Sequence, residues 1–155
     1  MNNVLTLALP LILLCLQSPA PTPQDADNAV IGGFISSQAT RERGEEYEDA
    51  RKIIAGDLNQ DGTPDLAVLY TIEGQGGSNN YVQYLAVFAR VKGRLLHVAH
   101  TAVGGKTHRS VELEAIRKNV IIIKTLNYGA DDAACCPSKA GAARYALANG
   151  KLKQL

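Results

Sequence analysis

Three two-residue turn signals, Lys92-Gly93, Lys118-Asn119 and Asn149-Gly150, each separate two runs of strand-forming residues and so dictate antiparallel neighbours. Asn-Gly is the strongest short hairpin signal, because both turn residues must accept positive φ. The runs around these turns read as strands. Tyr81 to Val91 is rich in Tyr, Val and Phe, Leu95 to Val103 follows it, and Val120 to Leu126 is β-branched. Arg144 to Leu147 faces Lys151 to Leu155 across the last turn. Val111, Leu113 and Ala115 alternate with Glu112 and Glu114, the period-two pattern of a half-buried strand. Lys52 to Ala55 and Leu66 to Ile72 complete the series on either side of an aspartate-rich segment. With no alternating βαβ rhythm, the expected fold is mainly β (α+β): an antiparallel sheet of about seven or eight strands, curled or sandwich-like, with one N-terminal helix.

That helix is expected at Ala29 to Ala39, where Val30, Ile31, Phe34 and Ile35 share one stripe. Asp27 or Asn28 is placed to cap it, and Gly32 and Gly33 weaken it. Thr40 to Asp49 is charged and mixed in sign, as expected of a solvated helix end or connecting loop.

Val4 to Leu16 is apolar apart from Thr6 and Pro10, and too short to span a bilayer as a helix. Ser18-Pro19-Ala20 carries small residues where a signal peptidase reads. The expected organisation is a signal peptide over 1–20, a disordered start over 21–28 and a single β-rich domain over 29–155. The expected location is secreted or periplasmic, with no membrane span after signal removal. Against cleavage stand an n-region without Lys or Arg and Pro21 just after the cut; the alternative is an uncleaved anchor. Leu14 before Cys15 is not the small residue that lipidation needs.

Formal charge is +1, yet residues 1–80 hold four basic and eleven acidic side chains, and residues 81–155 hold twelve and four. Such an asymmetry reads either as a basic surface for an acidic partner or, preferably, as two halves that compensate when they fold together. No dense Lys/Arg run with interleaved aromatics occurs, which sets nucleic acid aside as a partner.

Asp57-Leu58-Asn59-Gln60-Asp61-Gly62-Thr63-Pro64-Asp65 reads D-x-N-x-D-G-x-x-D. Oxygen-bearing side chains fall at alternate positions, and Gly62 permits the sharp turn. Calcium takes six to eight hard oxygen ligands in relaxed geometry. Asp57, Asn59, Asp61 and Asp65 supply side-chain oxygens, with the Thr63 carbonyl and water completing a structural Ca²⁺ shell. The alternative is a polar hairpin whose Asp and Asn side chains bond their own backbone without a metal. Val68 stands where an EF-hand needs its bidentate Glu, and strands flank the loop. The segment therefore resembles the calcium loop of integrin-type FG-GAP repeats and VCBS-like β-hairpin modules. The resemblance covers Ile53 to Leu69 in one copy, which excludes a propeller of such repeats.

Cys135 and Cys136 are adjacent, in Asp131-Asp132-Ala133-Ala134-Cys135-Cys136-Pro137-Ser138. An oxidising compartment allows a vicinal disulfide, acting as a loop clamp or as a redox switch, and intermolecular bridges are a third option. Zinc is disfavoured, because the usual spaced cysteine pairs are absent. Tyr128-Gly129…Cys135-Cys136-Pro137-Ser138…Tyr145 is similar to a stretch of small bacterial exported proteins and lipoproteins of the mycobacterial LppP/LprE type. Those tend to carry an aspartate loop upstream, and as a group they lack an assigned activity.

Gly104-Gly105-Lys106-Thr107 imitates the end of a P-loop, but His100 stands where its first glycine belongs. Gly74 to Asn80 reads as a long hairpin tip. On an extended strand His97 and His100 point to opposite faces and cannot chelate together without a bulge. The leading expectation is a non-enzymatic, calcium-stabilised exported domain that binds a protein or cell-envelope polymer. Its surface is the end bearing the Gly74–Asn80 and Gly104–His108 loops and the cysteine turn. The rival is a periplasmic hydrolase or thiol redox enzyme using His100 or His108, or Cys135 and Cys136.

Overall fold

The computed structural model describes residues 22–155, so the signal peptide expected at 1–20 lies outside the described residues. The described residues open with a reciprocal cap. The Thr22 hydroxyl accepts the Asp25 N–H at 3.2 Å, and the Asp25 carboxylate accepts the Thr22 N–H at 3.0 Å. This box opens helix α1, Pro23–Glu42, with proline in the first turn, where its missing N–H costs nothing. The disordered start expected at 21–28 is thereby corrected from residue 23 onward, and the cap is Thr22 rather than Asp27 or Asn28. The Thr-x-x-Asp spacing carried the signal.

Nine strands follow: β1 Glu45–Glu46, β2 Lys52–Gly56, β3 Asp65–Glu73, β4 Tyr81–Val91, β5 Arg94–Gly105, β6 Arg109–Arg117, β7 Val120–Asn127, β8 Lys139–Ala148 and β9 Lys151–Gln154. They form one antiparallel, unclosed sheet in the order β1-β3-β4-β5-β6-β7-β8-β9, with β2 also paired to β3. The expected mainly-β antiparallel sheet is what forms, with nine strands where about seven or eight were expected. Each predicted two-residue turn has both residues at positive φ: Lys92 and Gly93, Lys118 and Asn119, Asn149 and Gly150. Those dihedrals match the right-handed twist of the strands they join.

The sheet folds over between β5 and β6, where a single residue pair, Gly105 with Arg109, carries the ladder. Gly105 sits at φ +143°, and a Cβ there would lie 2.7 Å from the Tyr81 carbonyl oxygen. A side chain would therefore block the corner, which is why the P-loop-like Gly104-Gly105 stands there. Two side chains replace the missing ladder. The Gln83 amide bonds both the N–H of Val111 (3.0 Å) and its carbonyl (3.2 Å). Arg109 Nε donates to the Val103 carbonyl at 2.6 Å. Removing the first of these supports in Gln83→Leu should cost about 2 kcal/mol, two hydrogen bonds at roughly 1 each, measured by urea unfolding.

The fold-over makes two cores. Leu69, Leu85, Val87, Val103, Leu113, Ile121 and Ile123 fill the space between the two halves of the sheet. Ile31, Ile35 and Ala39 of α1 cover Val68, Tyr70, Ile72, Ala86 and Phe88 on the outer face of β3 and β4. Asp27 and Arg90 form an ion pair between the start of α1 and the end of β4. It is the one ion pair among the described residues that joins the acidic half of the sequence to the basic half.

Candidate functional site

The strand directions bring three loops to one end of the molecule: 74–80 after β3, 106–108 after β5 and 128–138 after β7. Two of them touch. Lys106 Nζ donates to Asn79 Oδ1 at 2.6 Å and to the Asn79 carbonyl at 3.3 Å. Beside them Arg43, Glu45, Glu73, Ser78, Asn79 and Tyr81 line an open polar cleft of 590 Å³. His108 lies in the exposed turn, its backbone N–H donating to the Gly105 carbonyl at 3.1 Å.

In the 128–138 loop the sulfurs of Cys135 and Cys136 lie at bonding distance, and both residues are exposed. Asp132, which sequence reasoning passed over, organises this loop. Its Oδ2 accepts the N–H groups of Gly129 (2.7 Å) and Ser138 (2.8 Å), and its Oδ1 accepts the Ser138 hydroxyl (2.7 Å). The Gly129 N–H, then the Ser138 hydroxyl and N–H, hold this carboxyl below the usual carboxylate range. An aspartate with a serine six residues on is the signal that could have found it.

The aspartate loop joins β2 to β3, as the hairpin reading expects. Asp57 accepts the N–H of Gln60 on Oδ1 (2.6 Å) and of Gly62 on Oδ2 (3.0 Å). Asn59 Oδ1 accepts from the Asp61 N–H (2.9 Å), and Asp61 Oδ1 accepts from the Thr63 N–H (2.7 Å). Asn59 also donates its Nδ2 to Asp61 Oδ2 at 2.8 Å. The Thr63 N–H, then the Asn59 amide, keep Asp61 ionised to lower pH than an ordinary aspartate. Asp65 behaves differently. It is fully buried, its Oδ2 accepting the Leu58 N–H (3.0 Å) and its Oδ1 the Arg90 N–H (3.2 Å).

Fit to a calcium ion is partial. Each carboxylate oxygen that accepts one N–H keeps a second lone pair, so Asp57 and Asp61 retain acceptor capacity, as does the Thr63 carbonyl. The Asn59 amide occupies one lone pair of Asp61 Oδ2, and Asp65 is buried with each oxygen accepting a backbone N–H. Among the described residues, no three His, Cys, Asp or Glu side chains are grouped closely enough to hold a metal.

His97 and His100 overturn the expectation from strand alternation. β5 pairs His97 with Phe88 and His100 with Ala86, and Val98 is the extra residue of a bulge between them. One added residue returns the second imidazole to the first one's face. The rings lie 5.2 Å apart beneath α1, with His97 stacked 3.9 Å from Phe34. No helix among the described residues is long and apolar enough to cross a membrane. Neither a family model, nor a curated protein, nor a solved structure matches the chain, so the resemblance of its loops rests on their own residues.

Proposed function

We propose that this chain is an exported, non-catalytic binding domain that meets a protein or a cell-envelope polymer with its three-loop end. The observation that carries the reading is the polar cleft beside loops 74–80 and 106–108, at the end that also bears loop 128–138. Loops held on a rigid sheet are where binding residues concentrate. Arg43→Glu changes the charge of the cleft, whereas Lys118→Glu changes it at the β6–β7 turn, the opposite end of the sheet. A partner recovered from envelope extract should be lost with the first variant and kept with the second. Recovery that is equal for both, or irreproducible, removes the reading.

The same proposal gives Asp57, Asn59, Asp61 and Thr63 a structural Ca²⁺, with Asp65 fixing the exit of the loop. Alternating acceptors on a two-strand hairpin and the lone pairs they retain support it. Calcium at 100 times its Kd should stabilise the fold by about 2.7 kcal/mol and raise the melting midpoint by several degrees. A midpoint unchanged between calcium and excess chelator means that the loop is a metal-free polar turn.

A further inference from the structure

A bond between neighbouring residues is a poor staple. The chain entropy that a disulfide removes grows with the loop it closes, and a Cys135–Cys136 bond, with sequence separation 1, closes almost none. The shape of this loop has other sources. Asp132 ties Gly129 to Ser138 through three hydrogen bonds, and so gathers the two ends of the loop on one carboxylate. The Tyr128 hydroxyl donates to the Ala134 carbonyl at 2.8 Å, and the Cys136 N–H donates to the Ala133 carbonyl at 2.9 Å. These fix the turn carrying the cysteines, and none needs a sulfur–sulfur bond. Both sulfurs belong to exposed residues at a loop tip, within reach of an attacking thiolate.

We infer that Cys135 and Cys136 form a reversible dithiol–disulfide site that exchanges two electrons with an external dithiol, while the domain stays folded. A thiolate of the dithiol attacks one sulfur in line with the bond. It forms a mixed disulfide and expels the neighbouring sulfur as a thiolate. The second thiolate of the reductant then attacks its own mixed sulfur, breaks that bond and leaves as an intramolecular disulfide. The protein gains two electrons and, as its thiolates protonate, two protons; the reductant is oxidised by the same count. Adjacency sets the class of partner. The expelled thiolate stays one residue from the mixed disulfide, at high effective concentration, and reverses a first attack by a monothiol. A dithiol has its own second sulfur to complete the exchange. The inference is independent of both calcium and the binding cleft.

The test incubates the native chain with dithiothreitol or with glutathione at equal thiol concentration, traps with N-ethylmaleimide at successive times and reads intact mass. Cys15→Ser is introduced throughout, so that only Cys135 and Cys136 can be labelled. Dithiothreitol should add two adducts per chain together, at least about tenfold faster than glutathione. The melting midpoint should stay within about 2 °C of the oxidised protein, whereas Asp132→Ala should lower it in both redox states. Three results would overturn the inference. They are labelling that needs denaturant, thiols that are already free before reduction, and a midpoint that falls on reduction but not in Asp132→Ala.

Discussion

Replacing Asp65 with alanine is expected to cost about 3 kcal/mol or more and to lower the melting midpoint by roughly 10 °C. Asp65 is the one fully buried carboxylate among the described residues, and both its oxygens are committed to backbone donors. One donor, Leu58, belongs to the core between the two sheet halves; the other, Arg90, lies near the end of β4. A single side chain thus ties the aspartate loop to a strand that β2 does not pair with. Truncation leaves two N–H groups without their acceptor, each worth about 1–3 kcal/mol when unsatisfied. Asparagine keeps one acceptor oxygen but turns a donor toward the second N–H, so Asp65→Asn should recover less than half of the loss. Urea unfolding of both variants, in calcium and in chelator, separates two roles. A deficit that persists in chelator belongs to the hydrogen bonds, and a deficit seen only with calcium belongs to ligation. Wild-type stability of Asp65→Ala in chelator would show that the two N–H groups find partners elsewhere.

Asp65 also shows where sequence reading stops. Its place in D-x-N-x-D-G-x-x-D marks it as an oxygen donor, and it is one, but to Leu58 and Arg90 N–H groups. The second partner lies 25 residues away, and no local pattern encodes it. The strands were legible because turn chemistry is local: Asn149-Gly150 and Lys118-Asn119 fix their own dihedrals and thereby the pairing around them. The Val98 bulge was not legible. Alternation counts positions along one strand, whereas a bulge is a mismatch between two, and here it reverses the face of a histidine. The end shared by the three loops followed from the meander once each strand was placed, since successive hairpin connections alternate ends. Contact between Lys106 and Asn79 depends on how the corner at Gly105 closes, which pairing alone does not give.

The histidine pair created by that bulge should make the fold acid-sensitive. Burial first, then the charges of His100 and Arg41, hold His97 below the ordinary imidazole range. Burial first, then Arg41, does the same to the more open His100, with Glu42 opposing. Tyr84 on β4 lies 6.5 Å from His100, and Tyr70 on β3 stacks on Tyr84. Burial pushes both phenols up, so they stay neutral at mild pH. An unfolded chain takes up the two protons near pH 6.5, while the folded chain takes them up only lower. Between those values the unfolded state binds more protons, so stability falls with pH from about 6.5 and levels off below the folded pKa values. The group that pays is the α1 contact. His97 stacks on Phe34 and its Nε2 has no partner, so a proton added there finds no acceptor. His97→Phe with His100→Phe keeps the stacking surface and removes both charges, so its stability should be flat from pH 7.5 to 5. Phe34→Ala should cost about 3 kcal/mol through lost packing against Tyr70, Phe88 and both histidines. With its cover gone, His97 hydrates, and the acid-dependent slope should shrink. Urea unfolding across this range, with imidazole resonances followed by NMR, reads both effects. Slopes that match between wild type and the double histidine variant would put the acid sensitivity elsewhere and leave the pair as packing alone.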